Sequence, residues 1–193
     1  IASNHYSFSG PTSFGKSFIM EEFIQYIIEK RNGVDNIAIF VPTRALINQV
    51  KNQLKININN SKYKIITYPE IPDMYINAEN KYIFIFTPER LISYLCKKTQ
   101  ANPNIDYMFI DEAQKIISSK DNRSPLYYHA ILLAQRKSIK LYFASPNISN
   151  ADIFLQLFEK SREENTVVKE VSVSQNRIYI DLIDKKCVGF SDF

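Results

Sequence analysis

The sequence has no tryptophan, four glycines, two cysteines and two histidines in 193 residues. Cys96 and Cys187 lie far apart, and with only His5 and His129 to join them they cannot assemble a Cys/His zinc site or a disulfide framework. Both thiols are expected to be reduced, in a cytoplasmic protein. No apolar run approaches the roughly 18–20 residues that a membrane-spanning helix needs, so a membrane partner is not expected. Internal repeats and low-complexity tracts are missing too. Neither sign of charge dominates: 24 Lys and Arg face 20 Asp and Glu, a formal net charge of +4. That surplus permits an anionic partner without demanding one, so a nucleic-acid role has to rest on motifs rather than on bulk charge.

What remains is an ordinary folded composition, 45% hydrophobic and 23% charged, which excludes wholesale disorder. The length fits a single domain with a core large enough to fold without staples. The N-terminus does not read as a signal peptide, and Ile1 in place of Met reads as a trimmed start.

Short apolar runs alternate with helix-like stretches. The clearest runs are Ile37–Val41, Tyr82–Phe86, Tyr107–Ile110 and Leu141–Ala144, with weaker ones at Tyr6–Phe8 and Tyr63–Thr67. Rich in aromatic and β-branched residues and apolar on both faces, they read as buried strands of a parallel sheet. Between them, Ile19, Phe23 and Ile27 with Met20, Ile24 and Ile28 form a helical stripe that Asn32-Gly33 would stop. Ala45, Leu46 and Val50 suggest a second helix, Leu91, Ile92 and Leu95 a third, and Leu126 to Ala134 a fourth. The expected architecture is α/β: an open, mostly parallel sheet with helices on both faces. Ligands of such sheets bind beyond the carboxyl ends of the strands, so chemistry is sought just after each run. The stretch Thr166–Asp184 alternates apolar and polar residues in two pieces and reads as an edge strand or a lead-out; Lys185 to Phe193 carry no motif.

After the first run stands Gly10-Pro11-Thr12-Ser13-Phe14-Gly15-Lys16-Ser17, a match to the G-x-x-x-x-G-K-[ST] phosphate loop. Gly10 and Gly15 let backbone N–H groups turn inward around a phosphate, and the helix that opens at Lys16 aims its positive end there. Lys16 would neutralise β- and γ-phosphate charge and the Ser17 hydroxyl would ligate Mg²⁺. Tyr107–Ile110 runs directly into Asp111-Glu112-Ala113-Gln114. A buried strand that delivers two adjacent carboxylates needs partners for them. A divalent cation would partner Asp111, and Glu112 would orient and deprotonate a water attacking the γ-phosphate. Three more polar clusters follow strands: Pro42-Thr43-Arg44-Ala45-Leu46, Thr87-Pro88-Glu89-Arg90-Leu91 and Ser145-Pro146-Asn147-Ile148-Ser149-Asn150. The first two put Thr and Arg at helix starts, a device that also contacts nucleic-acid phosphates.

In order and spacing these five segments resemble the first RecA-like domain of superfamily 2 helicases of the DEAD/DEAH-box type. GPTSFGKS resembles motif I, PTRAL motif Ia, TPERL motif Ib, DEAQ motif II and SPNISN motif III; TPERL, SPNISN and Arg123 lean toward the superkiller-type branch. The resemblance implies a P-loop NTPase fold and Mg-ATP hydrolysis coupled to movement along RNA or DNA. By position, Lys16, Ser17 and Asp111 would hold the phosphates and metal, with Glu112 the base. Pro42, Thr43, Arg44, Thr87 and Arg90 would hold a strand backbone, and Gln114, Ser145 and Asn147 would couple the two ligands. The sequence departs from the pattern at Ser145-Pro146-Asn147, where Ser-Ala-Thr is usual, and in ending motif II on Gln. It shows no adenine-reading glutamine motif before motif I. The family places a second RecA-like domain across the nucleotide, so residues 1–193 read as one ATP-binding domain of a larger protein, weakly active or inactive alone. The alternatives are the duplex-translocating motor of a restriction or antiviral defence complex, and a nucleotide-dependent switch or scaffold that has lost turnover.

Overall fold

The computed structural model describes residues 5–11, 15–30, 35–58, 62–97, 102–146, 148, 150, 152–158, 164–167, 176–181 and 186–191. Strands β1 (Tyr6–Ser9), β2 (Ile37–Phe40), β3 (Tyr63–Ile66), β4 (Lys81–Phe86), β5 (Tyr107–Ile110), β6 (Lys140–Ser145) and β7 (Glu164–Val167) form one sheet in the order β3-β4-β2-β5-β6-β1-β7. Every neighbouring pair in it is parallel. Helices α1 (Lys16–Lys30), α2 (Arg44–Asn57), α3 (Pro88–Cys96), α4 (Ser124–Arg136) and α5 (Ile153–Leu157) follow β1, β2, β4, β5 and β6. The open α/β architecture read from the sequence is thus present, and all four clear apolar runs are strands to within one residue.

Alternation along each strand sorts the core into two layers. Ile37, Ile39, Ile83, Ile85, Phe109 and Tyr142 point to one face, under Met20, Ile24 and Ile27 of α1 and Ile47, Val50 and Leu54 of α2. Phe40, Phe84, Phe86, Met108, Ile110, Leu141 and Phe143 point to the other, against Leu91 and Tyr94 of α3, Tyr127, Ala130, Ile131 and Ala134 of α4, and Phe154 of α5. Isoleucine is the commonest buried residue of the first layer, and the buried phenylalanines are concentrated in the second. Phe84 stands at the centre of the second layer, its ring centroid 5.7, 5.3 and 4.8 Å from those of Tyr82, Phe86 and Tyr94. At the amino ends of the strands Asn36 ties three of them together. Its backbone N–H donates to Asp106 Oδ2 (2.7 Å), its amide to the Asn104 carbonyl (2.8 Å), and its Oδ1 accepts the Tyr82 N–H (3.0 Å).

Where the sequence reading was coarser, the reason is local. The weak runs at Tyr6 and Tyr63 are full strands, because parallel neighbours supply the hydrogen bonds that short runs cannot supply themselves. The stretch Thr166–Asp184 divides as its two-piece pattern suggests. Its start joins the sheet edge as β7, and its end pairs as β8 (Asn176–Asp181) antiparallel with β9 (Lys186–Ser191), drawn from the motif-free tail. The Asn32-Gly33 stop lies outside the described residues; α1 ends at Lys30. Two short 3-10 turns, Asp73–Tyr75 and Ala113–Ile117, carry no periodic signal. Among the described residues no helix is long and apolar enough to cross a membrane.

Candidate functional site

Because every strand of the large sheet runs the same way, all five motif segments leave it at one rim, the carboxyl ends. Strand order then divides that rim. The segments after β5, β6 and β1 stand together on one half, and those after β4 and β2 on the other. β1 and β5 flank β6, which puts the Gly10 and Asp111 turns about 10 Å apart at the usual strand spacing. The register agrees. Ser9 is level with Ser145, Ile110 is level with Phe143, and Asp111 and Glu112 occupy the next two steps up toward the Ser9–Ser145 level.

On the first half, Gly10 leaves β1 with its N–H donating to the Ser145 carbonyl (3.2 Å). Gly15 closes the loop in the left-handed region, φ +75°. Its carbonyl accepts the first helical bond of α1 from Ile19 N (3.0 Å), so it acts as the N-cap. The first turn of α1 holds no acidic residue, which leaves its positive end uncompensated. Thr12, Ser13 and Phe14 lie outside the described residues; Ser17 is exposed at the second position of α1. A Cβ added at Gly15 would meet nothing nearer than Phe18 Cβ at 3.8 Å, so space is available and the constraint is φ alone. Gly15→Ala is expected to disfavour this conformation by roughly 1–2 kcal/mol. Calorimetric titration would read that as weaker nucleotide affinity, with the fold intact by circular dichroism.

Across β6, Asp111 continues the β5 ladder through its N–H to the Phe40 carbonyl (3.1 Å), then accepts the Glu112 N–H on Oδ1 (2.9 Å). Glu112 itself is left-handed, φ 53° and ψ 43°, a conformation that costs a non-glycine residue energy and is concentrated at functional sites. The strand direction breaks here, and the Gln114 amide donates to Glu112 Oε2. β6 brings Ser145 between the two turns. Ser9, fully buried, fastens the following loop: its hydroxyl donates to the Pro146 carbonyl (2.9 Å) and accepts the Ile148 N–H (3.3 Å). Nothing in the spacing pointed to Ser9, because a serine beside a glycine-rich loop looks like any other loop residue. Asn147 lies outside the described residues.

The second half of the rim carries the loops after β2 and β4. Val41 N–H donates to the Phe86 carbonyl (2.9 Å), holding the two loops side by side. Thr43 and Thr87 are the N-caps of α2 and α3, Pro42 is buried, and Arg44 is exposed. Arg90 is engaged within the fold: its Nη1 donates to the Thr67 carbonyl (2.6 Å), and its guanidinium lies 4.6 Å from the centre of the Tyr68 ring. Tyr68 is 64% exposed and was not singled out from the sequence, where it sits in a polar loop. Glu89 has its carboxyl held below the usual range. Burial alone would raise it, but a backbone hydrogen bond and the Arg123 guanidinium outweigh that. Burial pushes the Tyr127 phenol up, against the lowering influence of nearby Arg123.

The donor set suits a hard cation. Ser17 and Asp111 offer oxygens, and Mg²⁺ characteristically takes few protein ligands and completes its shell with phosphate and water. Among the described residues there is no cluster of three His, Cys, Asp or Glu side chains. Two buried oxygens of the motif segments on this half, Ser145 Oγ and Gln114 Oε1, have no hydrogen-bond partner among the described residues. Such orphaned atoms cost about 1–3 kcal/mol each unless a polar ligand or water meets them.

A search of curated proteins finds no match to the sequence. Among solved structures the chain is similar to the UvsW helicase from bacteriophage T4, at a TM-score of 0.55 and 19% identity. The match covers 86% of this chain and 55% of that one, so this chain spans about half the length of the phage protein. At that identity the likeness speaks for the fold. A model of the DEAD/DEAH box helicase describes residues 2–153, which takes in all five motif segments. The chain therefore belongs to the DEAD/DEAH box helicase family.

Proposed function

We propose that residues 1–193 are the ATP-binding RecA-like domain of a nucleic-acid helicase or translocase. In this reading ATP is hydrolysed on the β5–β6–β1 half of the rim, and an RNA or DNA strand is held on the β4–β2 half. The supporting observation is the common rim itself: the glycine-capped start of α1 and the Asp111–Glu112 turn leave parallel strands on either side of β6.

The segment from Gly10 to Gly15 binds the phosphates in this reading, and Lys16 neutralises their charge. Ser17 and Asp111 hold the cation, which when bound offsets charge on the phosphate oxygens. Glu112, steadied by Gln114, orients the attacking water and accepts its proton. The Gly10-to-Ser145 bond and the Ser9 hydroxyl link the phosphate loop to the motif III loop, a route by which nucleotide state reaches the rest of the rim. A second RecA-like domain is the proposed partner across the nucleotide, supplying charge stabilisation that can be worth orders of magnitude in rate. Residues 1–193 alone therefore turn over ATP little or not at all.

The test is calorimetric titration of Mg-ATP into the full chain and its Lys16→Ala variant. Loss of binding is expected, and retained affinity overturns the reading. The strand-holding half has its own test. Thr43→Val and Arg44→Gln are expected to weaken binding equally across sequences, and loss of the Arg44 charge should flatten the log K against log salt slope by about 0.7 on a single strand. Weakening confined to one sequence would contradict a backbone role.

A further inference from the structure

We infer that Arg123 is a positioning residue that fixes the spacing of the two strand-holding loops and thereby sets affinity for the nucleic-acid backbone. This rests on the assignment of those loops made under the proposed function.

Arg123 stands at the N-cap of α4, away from the segments that define the rim, yet its guanidinium reaches two of them. Nη1 donates to the Pro42 carbonyl at 2.9 Å, and Nη2 donates to the Glu89 carboxylate. Pro42 immediately precedes Thr43, and Glu89 immediately precedes Arg90. One planar group thus holds both loops one residue from the side chains expected to meet phosphate. The guanidinium carbon lies 5.4 Å from the centre of the Tyr127 ring, and the Tyr127 hydroxyl donates to the same Pro42 carbonyl at 3.1 Å. Two donors from one helix therefore converge on a single acceptor of the β2 loop. The ring of Tyr127 is itself set edge-on against Phe40, at 5.8 Å between centroids.

The same helix start is fastened to the turn that begins at Glu112. The Ser124 hydroxyl lies 2.7 Å from the Lys115 carbonyl and 2.6 Å from that of Ser118, and the Arg123 N–H donates to Asp121 Oδ1 at 2.9 Å. The segment from Glu112 to Arg123 is therefore a tied connection between the carboxylate turn and the clamp on both loops. Lysine cannot replace arginine here. An ammonium on a flexible stem has neither the fork that serves two acceptors at once nor the flat face that lies on a ring.

The experiment uses the full chain as wild type, Arg123→Lys, Arg123→Gln, Tyr127→Phe and Arg44→Gln. Fluorescence anisotropy with labelled oligo(U) and oligo(dT) gives affinity across salt, and calorimetry gives Mg-ATP affinity. Both Arg123 variants are expected to bind the strands about 5-fold more weakly, roughly 1 kcal/mol, with salt slope, Mg-ATP affinity and Tm close to wild type. Tyr127→Phe should give a smaller loss that does not add to that of Arg123→Lys, since both act on one carbonyl. The inference is overturned by wild-type affinity in Arg123→Lys, which would make charge alone sufficient. It is also overturned by a salt slope flattened by about 0.7, the mark of a direct phosphate contact, or by strand and nucleotide affinities falling together with Tm. If instead Arg44→Gln leaves strand binding untouched, the assignment of the loops themselves has failed.

Discussion

Glu112→Gln is expected to lower ATP turnover about 10²–10⁴-fold in the larger protein proposed to carry a second RecA-like domain, the usual contribution of a positioned general base, with nucleotide affinity nearly unchanged. The substitution keeps the shape and length of the side chain. Gln114 can still donate to the amide oxygen, and the left-handed backbone at this position is no harder for glutamine than for glutamate. What is removed is the capacity to take a proton. Phosphate release under saturating nucleic acid gives kcat, and calorimetric titration gives affinity. A fall in kcat without loss of binding isolates a role confined to the transition state. Unchanged turnover would end the assignment of Glu112 as base, and absence of turnover in wild type and variant alike would favour the reading of the chain as a switch that no longer hydrolyses.

Phe84→Ala should have the largest effect on stability, about 3–5 kcal/mol, measured by denaturant unfolding with an unchanged m-value. The side chain is fully buried on the second strand of the sheet and touches three aromatic rings, so truncation leaves a cavity that rigid neighbours cannot fill. Against a total of about 5–15 kcal/mol for a typical domain, that is a large fraction. Ile83→Val, one residue away but facing α1 and α2, should cost about 0.5–1.5 kcal/mol, because a single methyl group is lost from the isoleucine-rich layer. A ratio near unity between the two would mean that the phenylalanine-rich layer repacks around the hole.

The fold was legible because burial on both faces leaves an unmistakable trace. Four residues such as IAIF or YMFI, apolar throughout, have few other uses in a soluble chain. Tyr6–Ser9 was fainter since two of its four residues are serines, buried there because neighbours satisfy them. The proposed chemistry of the candidate site could be read from the sequence where it depends on residue type, as in the glycine loop and the paired carboxylates. It was hidden where it depends on conformation or on distant contact. No sequence pattern marks Glu112 as left-handed. Arg90 reads as a phosphate contact at a helix start, and nothing in the sequence marks its engagement by the loop after β3, through the Thr67 carbonyl 23 residues back and the Tyr68 ring. Tyr127 reads as one more apolar position of α4, and only tertiary packing gives its hydroxyl a partner 85 residues away. Hydrogen bonds of that separation are a property of topology, and single-residue chemistry does not encode them.

The order of the strands puts β5 fourth of seven, with three neighbours on either side. On the proposed assignment it would be a fulcrum: tilting it would drag on both proposed ligand sites together, whereas a shift at either margin would reach one alone. Lesions that leave each ligand bound but deaf to the other should therefore gather in the turn beyond β5, and lesions that spoil a single affinity should gather toward the flanks. A random-mutagenesis screen scoring the two affinities and their mutual dependence separately would sort variants along the sheet in that pattern.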